Sequence, residues 1–140
     1  MVGWREWVRL PDLCSEPIKA KIDTGARTPS LHAFNLRVTE SLTGDSIATF
    51  EIHPTQRSAT PSLDVEDPIV DFKEVRSSSG HRERRPVIRT PLTIGQNHFA
   101  IDLTLTARDE MGFRMLLGRA ALRRRFLVDP GRSYRQGEPL

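Results

Sequence analysis

One short segment holds the residue types that could do chemistry: Lys21-Ile22-Asp23-Thr24-Gly25-Ala26-Arg27-Thr28. Ile18, Ala20 and Ile22 alternate with Lys19, Lys21 and Asp23, so a half-buried strand delivers a carboxylate at its C-terminal end. Thr24-Gly25-Ala26 then reads as a sharp turn. A carboxylate presented this way offers proton transfer, although an Asp-Thr-Gly segment alone is also an ordinary loop. A second segment, Met115-Leu116-Leu117-Gly118-Arg119-Ala120-Ala121-Leu122, reads as an apolar strand stopped by glycine and followed by a short helix. The other acids Asp102, Asp109 and Asp129 read as solvated loop or strand-face residues. Metal chemistry finds little support, because His32, His53, His81 and His98 are scattered and form no His-Glu-x-x-His pair. No glycine-rich loop is built to cradle phosphate, so no cofactor is expected.

The elements that must position Asp23 are mostly strands. Ten prolines and nine glycines are spread along the chain, and period-two runs lie between them. Trp4, Glu6, Val8 and Leu10 share one phase, and Phe99, Ile101, Leu103 and Leu105 share another. Ile88, Leu92 and Ile94 lead into Gly95-Gln96, which predicts a hairpin with the strand that follows. Val70–Ile88 reads as a second hairpin with a charged tip at Ser77-Ser78-Ser79-Gly80, acidic before the turn and basic after it. Helical signal is confined to Arg119–Phe126. Pro54, Pro61 and Pro68 mark residues 54–68 as a long loop or insertion, and residues 131–140 as a loose tail. The domain is therefore expected over residues 1–130.

Composition bounds the rest. The chain has 140 residues, 37% hydrophobic and 28% charged, with mean hydropathy −0.43, which describes one globular domain. No apolar run approaches the roughly 20 residues needed to span a bilayer. The opening residues turn charged at once, and Cys14 is the only cysteine, so a cytoplasmic protein without disulfides is expected. Of 21 basic residues only Lys19, Lys21 and Lys73 are lysines, leaving 18 arginines. Arginine suits bidentate contact with carboxylate or phosphate, which points to an acidic partner.

Taken together, Lys21 to Thr28, Leu31-His32-Ala33, Arg85-Pro86-Val87 and Met115 to Arg119 resemble a bacterial retropepsin-like family of aspartic peptidases. That family has carried the label ATP-dependent zinc protease and is associated with ATP-grasp glutamate ligases. The resemblance runs from about Trp4 to Pro130. It implies a single-lobe closed β-barrel with one short C-terminal helix, in which an apolar-apolar-Gly strand threads beneath the catalytic loop. It makes Asp23, Thr24 and Gly25 the catalytic motif, the threonine bracing the turn from the partner half. Pro29 departs from the small polar residue expected after Arg-Thr.

The implied mechanism needs two carboxylates, and this chain supplies one motif, so a homodimer with one Asp23 from each copy is expected. The Val70–Ile88 hairpin would then close as a flap. Where viral retropepsins carry an acid after Asp-Thr-Gly-Ala, this chain has Arg27. Lys21, Ala26, Arg27, Thr28, His32, Arg85, Arg89, Arg108 and Arg119 are the candidate substrate-binding residues, and a Glu-rich or oligoglutamate-bearing chain is the expected substrate. The ligase association points the same way. Three other readings compete: a non-catalytic dimeric protein-binding module of the same fold, a zinc hydrolase, and an RNA binder using Arg82, Arg84, Arg85 and Arg123 to Arg125. Few aromatics and the lack of a nucleic-acid motif count against the last.

Overall fold

In the computed structural model, which describes residues 1–55, 62–76, 80, 82–107 and 112–137, the period-two runs become strands. In chain order these are β1 (Arg5–Val8), β2 (Ile18–Ile22), β3 (Ser30–His32), β4 (Phe34–Glu40), β5 (Ser46–Ile52) and β6 (Leu63–Pro68). They are followed by β7 (Asp71–Arg76), β8 (Arg82–Ile94), β9 (Asn97–Thr106), β10 (Met115–Leu117) and a one-turn helix α1 (Arg119–Leu122). Seven strands form one sheet in the order β1-β2-β10-β3-β9-β8-β7, and β4-β5-β6 form a second. Along β5 the alternation is plain: Ala48, Phe50 and Ile52 are buried while Ile47, Thr49 and Glu51 are half-buried. These side chains join Ile18, Ala20, Leu31, Leu103, Leu105, Met115 and Leu117 of the large sheet in one apolar cluster.

Register organises the other face of the large sheet. Arg5, Lys21, Leu116, Ser30, Thr104, Val87 and Asp71 are successive partners across all seven strands. They lie in the opposite phase from Glu6, Ala20 and Ile22, which are buried. The long hairpins follow the sequence reading. β8 and β9 pair around Gly95 (φ 59°), where the left-handed backbone favours glycine. β7 pairs with β8 from Asp71–Val87 to Arg76–Arg82. The tip residues 77–79 and 81 lie outside the described residues.

Four expectations are corrected. The sheets do not close into a barrel. Arg9 and Thr93 exchange a pair of 2.9 Å backbone bonds, but β1 is only four residues long and the C-terminal segment occupies its outer edge. Residues 63–68 are strand rather than loop, pairing along β5 from Ile52–Leu63 to Ile47–Pro68. Proline is tolerated there because β6 is an edge strand and Pro68 is its last residue. The helix ends at Leu122, and Arg124 takes a positive φ of 63°.

Finally, the tail is docked as far as Gly137. Trp4 N–H donates to Arg132 O (2.8 Å) and Tyr134 N–H donates to Arg5 O (2.9 Å). The clasp is Glu6, whose wholly buried carboxylate accepts the N–H groups of Gly3 (2.6 Å), Arg135 (2.8 Å) and Gln136 (3.0 Å). Gly3 is required where the strap crosses, since a Cβ there would sit 2.1 Å from Arg132 O.

Candidate active site

The Asp23 loop connects β2 to β3, yet those two strands are not neighbours. β10 lies between them, parallel to β2 and antiparallel to β3. The loop therefore arches over the end of β10, and its backbone is held from below. Asp23 N–H donates to Leu117 O (2.9 Å), Arg119 N–H to Ala26 O (2.8 Å) and Ala120 N–H to Arg27 O (2.9 Å). This crossing is why position 118 is glycine. A Cβ on Gly118 would stand 2.8 Å from the N, C and O atoms of Thr28, closer than any real side chain packs.

Within the loop, Ala26 N–H donates to Asp23 O (3.2 Å) and Gly25 N–H donates to Asp23 Oδ1 (3.0 Å). A Cβ on Gly25 would crowd that same oxygen at 3.2 Å. Asp23 is half-buried, while Thr24 and Gly25 are exposed. The Arg119 guanidinium reaches back, its Nη1 donating to Thr24 O and Gly25 O at 3.1 Å each. Four backbone–backbone bonds and one arginine thus fix the turn and leave the carboxylate at the surface. A carboxylate so placed can take a proton from water or return one.

The predicted site residues divide into those the fold gathers here and those it uses elsewhere. Asp23, Thr24, Gly25, Ala26, Arg27, Thr28 and Arg119 form the loop and its support, and Lys21 leads into it from β2 opposite Leu116. Arg27 is exposed. His32 is buried and stacks on Phe34 (centroids 4.0 Å), which stacks on His53 (3.7 Å). Arg85 is buried, and its Nε donates to Glu83 Oε2 (3.1 Å), an acid that also accepts from Thr106 Oγ1 (3.0 Å). Arg89 Nε donates to Asp102 Oδ1 (3.0 Å) on the exposed β8–β9 surface, and this hydrogen bond to the acid raises the already high pKa of Arg89. Arg108 lies outside the described residues, as do Asp109 and His81. Asp129 Oδ1 accepts from Gly131 N–H (3.0 Å) in a turn.

Two features were missed. One is the Glu6 clasp, although Glu6 falls in the inward phase of β1, where a charge demands partners. The other is the cluster of Trp4, Trp7 and Tyr134 beside β1, for which local sequence holds no signal because Tyr134 arrives from the tail. Among the described residues, no three His, Cys, Asp or Glu side chains gather as a metal ion would require. No helix of those residues is long and apolar enough to cross a membrane.

Comparison with known proteins adds to this geometry. A crystal structure of Lpg0085, a Legionella pneumophila protein of unknown function, shares the fold with a TM-score of 0.73 and 28% identity, over 96% of each chain. Curated relatives named probable alpha-L-glutamate ligase are 44% identical in Shewanella pealeana, 41% in Desulfotalea psychrophila and 45% in Parasynechococcus marenigrum, over 99% of this chain. The chain spans only 29–30% of their length, so in them such a domain is one part of a longer polypeptide. The family model for the retropepsin-like aspartic endopeptidase RimB matches residues 1–139, tail included. With the threaded loop and its lone aspartate accounted for at both levels, the chain belongs to the RimB-like family of retropepsin-like aspartic endopeptidases.

Proposed function

We propose that two copies of this chain form an aspartic peptidase, each contributing one Asp23 across a molecular two-fold axis, that hydrolyses acidic peptides. The observation that carries this reading is the fixed Asp23 turn, which presents one half-buried carboxylate at the end of β2. Two such groups about 3 Å apart cannot both ionise, so they share a proton. One then acts as base toward a bound water and the other as acid toward the scissile carbonyl. The apparent pKa values belong to the pair. The β7–β8 hairpin closes over the cleft as a flap.

Acidic specificity is supported by exposed Arg27 in the catalytic loop and by relatives whose names say they join glutamate. A glutamate-bearing chain is then the substrate, and a glutamate ligase the functional partner. Lys21, Ala26, Arg27 and Thr28 contact that chain, while Arg85 and Arg89, each paired to an acid, hold the β8 region in shape. No cofactor takes part, and the enzyme works in the cytoplasm. Cys14, the lone cysteine, is a buried thiol whose pKa burial raises.

The test incubates wild type and Asp23→Ala with glutamylated and plain peptides and follows fragments by mass spectrometry. Wild type alone should cut, with a preference for the glutamylated peptide and a rate that falls more steeply than linearly on dilution. Cleavage by both proteins would overturn the peptidase reading, and equal cleavage of both peptides would overturn the specificity.

A further inference from the structure

Trp7 and the single tyrosine of the chain meet at the β1 edge of the large sheet, and Trp4 is linked to them through Arg5. Trp7 stacks on Tyr134, with centroids 5.8 Å apart and planes 25° apart. The Arg5 guanidinium lies 4.7 Å from the Trp4 ring centre and 5.0 Å from that of Tyr134. Lys19 Nζ lies 5.2 Å from the Trp7 ring centre. Register explains the gathering. Arg5 is the partner of Lys21 and Trp7 of Lys19, so all four project from the face opposite the apolar core, while Glu6, Val8, Ala20 and Ile22 turn inward.

This surface is built rather than incidental. Tyr134 has a φ of 52°, a left-handed conformation that bulky residues rarely adopt. It is held there by its own N–H on Arg5 O and by the next two N–H groups on Glu6. Arg5 is further fixed by Ser133 Oγ, which accepts from its Nε at 3.2 Å. Among the described residues neither Arg5 nor Lys19 forms an ion pair with a carboxylate. Their charges are steadied against rings, not neutralised, and both side chains are half-buried.

The surface also adjoins the catalytic loop. Ile22 N–H donates to Trp4 O (2.8 Å), and the next residue is Asp23. At about 3.3 Å per residue, Lys19 sits roughly 13 Å along β2 from Asp23, a span an extended peptide covers in about four residues. We propose that Arg5, Lys19, Trp7 and Tyr134 form an outer subsite that grips acidic side chains about four residues from the scissile bond. The proposal rests on the acidic-peptide reading above and names residues outside the Asp23 loop. A peptide suits the surface better than a nucleic acid. The Trp7 ring already carries Tyr134 and Lys19, and the Tyr134 ring already carries Trp7 and Arg5. What remains for a ligand is cationic N–H groups, which match carboxylates, rather than open ring faces for bases.

The test uses the full chain with Asp23→Asn, titrated with an octaglutamate peptide, its octaglutamine counterpart and a tetraglutamate peptide. Tryptophan emission is the readout, since Trp7 lies in the surface and Trp4 beside it. Octaglutamate should shift the emission and octaglutamine should not. Arg5→Gln with Lys19→Gln should weaken octaglutamate binding about tenfold and tetraglutamate binding much less. Lys19→Gln alone, which touches no backbone support, should show part of the loss if the double variant melts early. In the active background the same substitutions should raise KM for the long peptide and reduce its advantage over the short one.

Unchanged octaglutamate affinity in the variants would overturn the subsite. So would tighter binding of a single-stranded RNA octamer with the same Arg5 and Lys19 dependence, or loss of the dimer by sedimentation in place of lost peptide affinity. Binding through Arg5 and Lys19 by a protein that never cleaves would retire the peptidase reading and keep the subsite. Cleavage indifferent to both residues would do the reverse.

Discussion

Strands β1 and β2 lie side by side, and each delivers a carboxylate into very different surroundings. Glu6 is wholly buried and takes three backbone N–H groups, one from its own strand's entry and two from the returning tail. Asp23 is half-buried and, among the described residues, takes one N–H, from Gly25. The rest of its loop is satisfied by β10 and Arg119 instead of by the carboxylate. A saturated, dry carboxylate has nothing left to offer a reactant, whereas one with unused lone pairs at the surface can hold a water. The contrast separates a carboxylate whose acceptor capacity is filled by the fold from one with capacity to spare, and it does so by counting donors, not by burial alone.

The strongest way to break this contrast is to remove each acid in turn. Glu6→Ala strands three N–H groups, that of Gly3 buried and those of Arg135 and Gln136 part-buried, and should cost about 3 kcal/mol, lowering the melting temperature by roughly 10 °C. Asp23→Asn should leave the melting temperature nearly unchanged while abolishing cleavage. Equal melting of the two variants in calorimetry would erase the distinction. Next in size, Gly118→Ala forces a methyl into the Thr28 backbone and should cost about 1–3 kcal/mol. Activity should fall in this variant even at temperatures where circular dichroism shows it folded, because the clash lies directly beneath the Asp23 loop.

The smallest effect sharpens the comparison with a third acid. Asp67 on β6 is part-buried and has no hydrogen-bond donor among the described residues, and burial followed by the nearby Asp12 charge raises its pKa. A carboxyl raised in the folded state contributes stability that is fully present below its unfolded value and lost as pH rises through the folded one. Ionised Asp67 is therefore a cost at neutral pH. Asp67→Asn should raise the melting temperature slightly at pH 7 and leave it unchanged at a pH below the normal carboxylate range. A parallel shift at both values would disprove that account.

Much of this was legible before any coordinates. The alternation around Ile18–Asp23, the Gly95-Gln96 turn and the Leu116-Leu117-Gly118 stop each rest on neighbours within a few residues, where sequence pattern is informative. The Glu83–Arg85 pair was open to the same period-two reasoning, since residues two apart share a strand face, yet Arg85 was read only as a substrate-binding residue. Glu6 was visible as a charge in an apolar phase, but its partners lie about 130 residues further on, beyond the reach of local reasoning. The Arg89–Asp102 pair likewise depends on hairpin register. β6 was hidden because prolines mask an edge strand whose pairing is decided by β5. The closed barrel was expected by resemblance, and the strap along β1 is what leaves that edge occupied.

The threading of β10 between β2 and β3 also bears on how the chain is made. A ribosome releases Asp23 early, but the strand that arches its turn into shape emerges only after both hairpins have been synthesised. Until Gly118 has slipped under Thr28, the aspartate sits in a segment whose turn has no support from below, so a polypeptide that stops before β10 cannot present it in the geometry seen here.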